Sequence, residues 1–260
     1  MDIAVLIKQV PDTWSERTLR ESDWTLDREA ADAVIDEIDT RGVETALQLV
    51  EKHGGSVTVV TMGPDRATEA LRKALAMGAD QAVHISDDAL AGSDALQTSA
   101  ALAAAIKTLS VDLVITGNES TDGRTGSIPS MLAERLGLPQ ITSIRTLDVD
   151  GTSLRAERVW DGGYSEVTAT LPAVISVTEK INEPRYPGFK GIMAAKKKTV
   201  TVLGVGDLAL DPARTGLANS STVVVDGAPR PPRESGEKIT DDDGTGGAKV
   251  AEFLAAARLI

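Results

Sequence analysis

Short apolar runs and amphipathic stretches alternate along the first half of the chain. Residues 3–7 (IAVLI) are continuously apolar, the pattern of a strand buried on both faces. Val43, Ala46, Leu47 and Val50 recur at helical spacing, and Gly54-Gly55 ends that element. Ser56 to Met62 (SVTVVTM) is the next strand. Asp65 is placed to cap a helix carrying Ala67, Ala70, Leu71, Ala74 and Leu75, stopped at Gly78. Gln81 to Ile85 is a short strand, and Asp94 caps an alanine-rich helix ending near Leu109. Val111 to Thr116 (VDLVIT) is apolar again, and a glycine-rich turn leads to a helix from about Ser127 to Arg135. Strand and helix thus alternate through Leu136, which predicts an α/β fold with a doubly wound, mostly parallel sheet.

The rhythm changes beyond Pro139. Residues 144–150, 153–159 and 164–170 alternate around Asp150-Gly151 and Asp161-Gly162-Gly163, the pattern of hairpins, so an antiparallel extension is expected. Ala173 to Val177 and Thr199 to Leu203 are late strands, with a surface segment, 182–198, between them. The chain divides on this reading into a domain over 1–206 and an arm over 207–260 that ends in a short helix, Lys249 to Ala257. An arm so poor in apolar residues is costly to order alone, which suggests that it lies on a partner; a disordered tail is the competing reading. The stretch Asp12 to Asp39, with Trp14 and Trp24, is long for a connection, and such excursions are often functional.

Composition narrows the chemistry. The chain carries no cysteine and two histidines, His53 and His84, which excludes disulfides, thiolate catalysis and cysteine or multi-histidine metal centres. A net charge of −12 argues against nucleic acid or an anionic membrane as a general partner. The N-terminus lacks a basic region and a long apolar run, so a cytoplasmic location is expected. Aromatic residues are only 3% of the chain, so the core must be built from Ala, Val, Leu and Ile.

Two segments are candidates for sites. Gly117 to Ser127 (GNESTDGRTGS) follows an apolar strand and opens a helix, at the edge where open α/β sheets bind ligands. Backbone amides and the helix start can hold a phosphate there; Gly123 and Gly126 permit close approach, and Thr125, Ser127 and Arg124 can add contacts. An ordinary strand–helix turn explains the same residues. Met62-Gly63-Pro64 and Ile7-Lys8-Gln9-Val10-Pro11 end neighbouring strands and would face the same edge, where an adenine could lie. Asp36, Glu37 and Asp39 fit helix capping. His84, within a strand, reads as structural. The other candidate is Asn182 to Met193 (NEPRYPGFKGIM), where prolines flank Arg185-Tyr186 and Gly188 and Gly191 frame Phe189. A stiff loop with an apolar anchor loses little entropy on binding a protein. Lys196-Lys197-Lys198 follows, placed to steer an acidic partner or to serve solubility.

Four stretches carry a family resemblance: Val159-Trp160-Asp161-Gly162-Gly163, Leu171 to Val177, Ile181-Asn182-Glu183-Pro184-Arg185-Tyr186, and Ile192 to Lys198. Together with VLIKQVPD near the start and ALRKALAMGADQAVHI, they make the chain resemble the electron transfer flavoprotein beta subunit over essentially its whole length. The resemblance implies a nucleotide-binding α/β fold and a heterodimer with an alpha subunit that holds most of one FAD. It implies structural AMP in this chain, held near Leu6, Ile7, Asp36, Glu37, Ile38, Asp39, Met62 and the loop Gly117 to Ile128, which includes Asp122, Gly123, Arg124, Thr125, Gly126 and Ser127. The implied donors are flavin dehydrogenases such as acyl-CoA dehydrogenases, and the acceptor is a membrane quinone oxidoreductase. This is an electron carrier without a substrate of its own. Pro184, Arg185, Tyr186, Phe189, Ile192, Met193 and Lys196 are implied in partner recognition.

The nucleotide loop departs from the usual family pattern, keeping one aspartate and lacking Asn-Gln-Thr. Phosphate binding then rests on backbone amides, Ser127, Thr125 or Arg124. Phe189 stands where the family carries an anchoring leucine. Electron-bifurcating relatives carry a second FAD in place of AMP and use NADH, and this alternative stays open. A small-molecule sensor is a third reading, disfavoured by the recognition segment.

Overall fold

In the computed structural model, which describes all residues except 233–235, 237, 239, 242 and 243, strand and helix alternate as the apolar pattern requires. The elements are β1 (Asp2–Leu6), β2 (Gln9–Pro11), β3 (Ala33–Ile35), α1 (Glu37–His53), β4 (Ser56–Met62), α2 (Thr68–Met77), β5 (Gln81–Ile85) and α3 (Ala95–Lys107). They continue with β6 (Leu113–Gly117), α4 (Ile128–Leu136), β7 (Gln140–Asp150), β8 (Ser153–Trp160), β9 (Gly163–Thr170), β10 (Ala173–Val177), α5 (Phe189–Ala195), β11 (Val200–Leu203) and α6 (Gly246–Ala256). Two compact units result, Met1–Asp226 and Gly227–Ile260.

One nine-stranded sheet organises the first unit, in the order β11-β5-β4-β1-β6-β10-β7-β8-β9. The strands from β11 to β7 run parallel, and β8 pairs antiparallel with both β7 and β9. Alternate side chains of the parallel strands feed two cores. Ile3, Val5, Val57, Val59 and Ile115 pack with Val43, Ala46 and Leu47 of α1 and Leu71 and Leu75 of α2. Ala4, Leu6, Val60 and Val114 pack on the other face with Leu102 and Ile106 of α3 and Leu132 of α4. The hairpins bury only alternate residues such as Leu154 and Ala156, as antiparallel strands with one wet face do. Because α1 and α2 cover one face and α3 and α4 the other, the chain reverses direction beside β1. That reversal opens the crevice described below.

The expected strands and helices are present, most with ends shifted by a residue or two. β7 begins four residues earlier than expected, at Gln140, and α6 three earlier, at Gly246; the segment 182–198, read as a surface segment, contains the short helix α5. Asp65 is a correction. It lies in a 3-10 turn, Asp65–Ala67, that Pro64 opens, and its side chain caps nothing there; Ser86 Oγ donates to it at 3.4 Å instead. The excursion after β1 is partly ordered: β2 and β3 form a small antiparallel ribbon, and Leu19 bridges Leu26. Residues 207–226, placed in the arm on sequence grounds, belong to the first unit, where Leu208 is buried and the Leu217 amide donates to the Ala91 carbonyl. Part of the expected arm, residues 233–235, 237, 239, 242 and 243, lies outside the described residues. In the second unit α6 leaves Val250 and Phe253 exposed. Among the described residues no helix is long and apolar enough to cross a membrane.

Helix α5 packs on α2 through a glycine. A Cβ at Gly191 would collide with the Ala76 carbonyl oxygen, whereas one at Gly188, with φ −76°, would meet nothing within 4 Å. Gly191→Ala should therefore lower stability by about 1–3 kcal/mol, the usual cost of overpacking. Gly188→Ala should be close to neutral, and parallel thermal melts compare the two.

Candidate functional site

The carboxyl ends of β1, β4 and β6 meet at one edge of the sheet. A cleft there is lined by Leu6, Ile7 and Lys8 after β1, Met62 of β4, and Thr116 to Ser120 at and beyond the end of β6. Helix α1 contributes Asp39, α3 contributes Thr98 and Leu102, and the start of α4 brings Gly126, Ile128 and Pro129.

Two carboxylates at the start of α1 shape this edge. Asp36 is the N-cap: one oxygen accepts from the Ile38 amide at 3.0 Å, and the other from the Thr121 amide at 2.7 Å and hydroxyl at 2.9 Å. One turn on, Asp39 accepts from the Lys8 amide at 2.8 Å and the Gly117 amide at 3.2 Å, joining the ends of β1 and β6. Burial, reinforced by the Asp36 carboxyl, pushes the Asp39 pKa well above the ordinary carboxylate range, against the pull of those amides and of Lys8. A Cβ at Gly117 would stand 2.6 Å from Asp39 Oδ1, so the backbone must be bare there.

Asp122 pins the loop that follows. Its side chain is fully buried, with Lys8 Nζ 2.9 Å from one oxygen and Arg28 Nη1 2.5 Å from the other. The Lys8 contact is a hydrogen bond, and the Arg28 contact is a charge pair without hydrogen-bond alignment. Burial opposes ionisation of Asp122, but Lys8, the Ser120 hydroxyl and Arg28 together outweigh it and hold the carboxyl well below its usual range. Arg17 Nη1 also donates to the Thr121 carbonyl at 3.3 Å, so the excursion before α1 is latched onto the loop. Arg124 and Gly126 adopt left-handed backbone (φ 50° and 61°), turning the chain into α4. Among the described residues the amides of Gly126, Ser127 and Ile128 find no acceptor, and the Ser127 side chain does not cap α4. These are the free donors of a helix start, which suit an anionic oxygen. Asn118 adds a buried Oδ1 without a donor.

The structure thus brings Leu6, Ile7, Asp39, Met62, Gly117, Gly126 and Ile128 together around one cleft. Asp36, Asp122 and Gly123 build the loop without lining the cleft, Ile38 packs against Gly117, and Ser127 precedes α4. Glu37, Arg124 and Thr125 are exposed. Sequence reasoning missed Thr98, Leu102, Thr116 and Pro129 as cleft residues; Thr98, a polar break in an alanine-rich helix, was the only signal. It also missed the partners of Asp122, Arg28 and Lys8. His84 is structural: its Nε2 donates to the Gly63 carbonyl at 3.0 Å, and its Nδ1 faces the Thr68 hydroxyl at 3.3 Å. None of the three tryptophans lines the cleft.

The segment 182–198 forms a second feature. Tyr186 is 96% exposed and Phe189 79% exposed, with Ile192 and Met193 also exposed on α5, so Phe189 does not pack on its own domain. Pro184 and Pro187 are partly buried beside them, and Lys196 is exposed at the end of α5. Arg72 Nη1 donates to the carbonyls of Ala195 and Lys198, each at 2.7 Å, and closes that helix end. Arg185 points inward, into ion pairs with Glu44 and Glu51 of α1.

Comparison with known proteins agrees with this architecture. The family model "Electron transfer flavoprotein domain" matches residues 23–208. The chain is 56% identical over 265 aligned positions to "Electron transfer flavoprotein subunit beta" of Mycobacterium tuberculosis, spanning all of this chain and 99% of that protein. It is 42% identical to the protein of the same description from Thermoanaerobacterium thermosaccharolyticum, with 86% of each chain covered. It is also 37% identical to "Caffeyl-CoA reductase-Etf complex subunit CarD" of Acetobacterium woodii, with 92% of each covered.

The Asp122 latch has a measurable acid dependence. Its folded pKa lies below the unfolded value of roughly 3.9, so its stabilisation is fully present above that value and fades as pH falls through the folded pKa. Asp122→Asn should cost about 2 kcal/mol at neutral pH, less than the ~3–5 of a wholly buried pair because both cations are half in water. The difference in melting temperature between the two proteins should stay constant from about pH 8 to 5 and shrink below about pH 4.

Proposed function

The chain belongs to the electron transfer flavoprotein beta-subunit family, and on that footing we propose that it is the beta half of an alpha/beta heterodimer carrying electrons from flavin dehydrogenases, acyl-CoA dehydrogenases among them, to a membrane quinone oxidoreductase. FAD, held mostly by the alpha subunit, supplies the redox chemistry. This chain binds AMP as a structural group and presents the docking loop.

The observation that carries the reading is the set of free amides at Gly126, Ser127 and Ile128, beside a cleft at the strand ends that Gly126 and Ile128 line. They would hold the AMP phosphate, with Arg124, Thr125 and Ser127 near enough in sequence to add charge or hydroxyl contacts. The strand end Leu6-Ile7, Met62 and Asp39 in the first turn of α1 would take the adenosine. Asn118, with its unpaired Oδ1, offers an acceptor to a hydroxyl or amino group of the ligand. No group here needs to move a proton: Asp39 already accepts from two backbone amides, and Asp122 accepts from Lys8 Nζ and the Gly123 amide. At the other feature, Tyr186, Phe189, Ile192 and Met193 offer an apolar surface to a dehydrogenase, with Lys196 beside it. Helix α6 of the second unit lies on the alpha subunit in this reading.

A second reading, in which FAD replaces AMP in this chain and NADH is the donor, draws on the likeness to the Acetobacterium woodii reductase-complex subunit. Nucleotides extracted from the co-expressed heterodimer separate the two. One FAD and one AMP per heterodimer is the expected result; two FAD and no AMP would establish the alternative.

Docking has its own test. Burying a Phe side chain is worth roughly 1.5–3 kcal/mol, so Phe189→Ala should weaken capture of the dehydrogenase about tenfold or more. FAD content, the melting temperature and reduction by dithionite should stay near normal, since the side chain is exposed. Unchanged dehydrogenase-dependent reduction across partner concentrations would remove the docking role.

A further inference from the structure

Arg185 lies in the docking segment, yet four of its five guanidinium N–H groups donate within the chain. Its Nε and Nη2 donate to the two oxygens of Glu44 at 2.7 and 3.0 Å. Its Nη1 and Nη2 donate to the two oxygens of Glu51 at 2.6 and 3.2 Å. The Arg185 amide adds a bond to Glu44 Oε2 at 3.1 Å. We propose that Glu44 and Glu51 clamp Arg185 as a positioning residue that aims the docking loop, and that Arg185 makes no contact with the dehydrogenase. This inference rests on the docking role proposed for Phe189.

The geometry sets position and angle together. Two bidentate pairs on one planar guanidinium fix its place and its orientation, which a lysine, a point charge, cannot do. Glu44 is only 4% exposed and is steadied by Gln48 Nε2 at 2.9 Å, so it is a fixed post. Burial opposes its ionisation, but the Arg185 bonds outweigh that and hold its carboxyl below the ordinary range. Asn182 grips the same helix, its side-chain amide donating to the Arg41 carbonyl at 3.1 Å and Thr45 Oγ1 at 2.9 Å. Only Tyr186, Pro187 and Gly188 separate Arg185 from Phe189. Beyond Phe189, Arg72 and the close approach of Gly191 to Ala76 hold α5 on α2. The apolar anchor therefore stands between two fixed attachments, and loss of one adds conformations that the partner must freeze out.

The test uses the co-expressed heterodimer with Glu44→Gln, Arg185→Lys, the double variant, Glu51→Gln and Phe189→Ala. Partner-concentration kinetics, melting curves and amide exchange over residues 182–189 are measured for each. Glu44→Gln and Arg185→Lys should each raise KM for the dehydrogenase about fivefold or more, with kcat little changed and faster exchange in the loop. The double variant should be no worse than the worse single one, because both remove one clamp. Glu51→Gln, at an exposed carboxylate, gives a smaller effect in the same direction and serves if Glu44→Gln fails to assemble. A raised KM in Arg185→Lys with a normal KM and normal exchange in Glu44→Gln would mean direct contact with the partner and would overturn the proposal. So would lowered melting temperatures with KM unchanged. If Phe189→Ala leaves KM unchanged, the docking reading itself fails, while the exchange comparison still decides whether the clamp holds the loop.

Discussion

Two carboxylates at the start of α1 hold the sheet edge on which the cleft depends. Asp36 closes the helix start and reaches the Thr121 amide, while Asp39 ties the Lys8 amide to that of Gly117. Backbone donors at strand ends are left over when a ladder stops, and buried ones must find acceptors. Here the acceptors come from a helix start, even though burial and the Asp36 carboxyl oppose the charge on Asp39. A neutral isostere at either position would keep some bonds, but no apolar residue could. The price is steric: Gly117 must stay bare beside Asp39. The cleft residues at the ends of β1 and β6, Leu6 to Lys8 and Thr116 to Ser120, hang on strand ends fixed in this way.

Cations distribute the same logic over the loops of an acidic chain. Lys8 and Arg28 hold Asp122, Arg17 reaches the Thr121 carbonyl, Arg72 closes α5, and Arg185 clasps α1. Each connects segments far apart in sequence, and each has a carboxylate or carbonyl waiting for it. Loops made of polar residues bury too little apolar surface to order themselves. Charge-assisted bonds at partly buried sites supply what hydrophobic packing cannot.

This division explains what the sequence disclosed. Strands such as Ser56–Met62 and Ala173–Val177 announce themselves through unbroken apolar runs, and the hairpin partners of Ser153–Trp160 through alternation and glycine turns. Three strand ends could be placed on one edge because a parallel sheet allows no other arrangement of consecutive βα units. Gln9–Pro11 and Ala33–Ile35 are three residues each, too short for periodicity to reveal their pairing. Ion pairs are worse hidden. Arg185 and Glu44 are 141 positions apart, and nothing local in NEPRY separates a residue facing a partner from one facing its own helix. The spacing of Arg41, Glu44, Gln48 and Glu51 does trace a polar stripe on α1, a signal that the apolar stripe beside it overshadowed.

That stripe gives α1 a second duty. Its first turn fixes the cleft edge, and the turns from Arg41 to Glu51 fix the segment 182–185. At 1.5 Å per residue, the 15 positions from Asp36 to Glu51 span roughly 22 Å. The apolar face of Val43, Ala46 and Leu47 keeps that length pressed against the sheet, so neither end can tilt without opening the core. A helix held so firmly acts as a ruler between the two features. Distances between them are then set by the fold before any ligand or partner arrives, so whatever meets either feature meets it in a constant geometry.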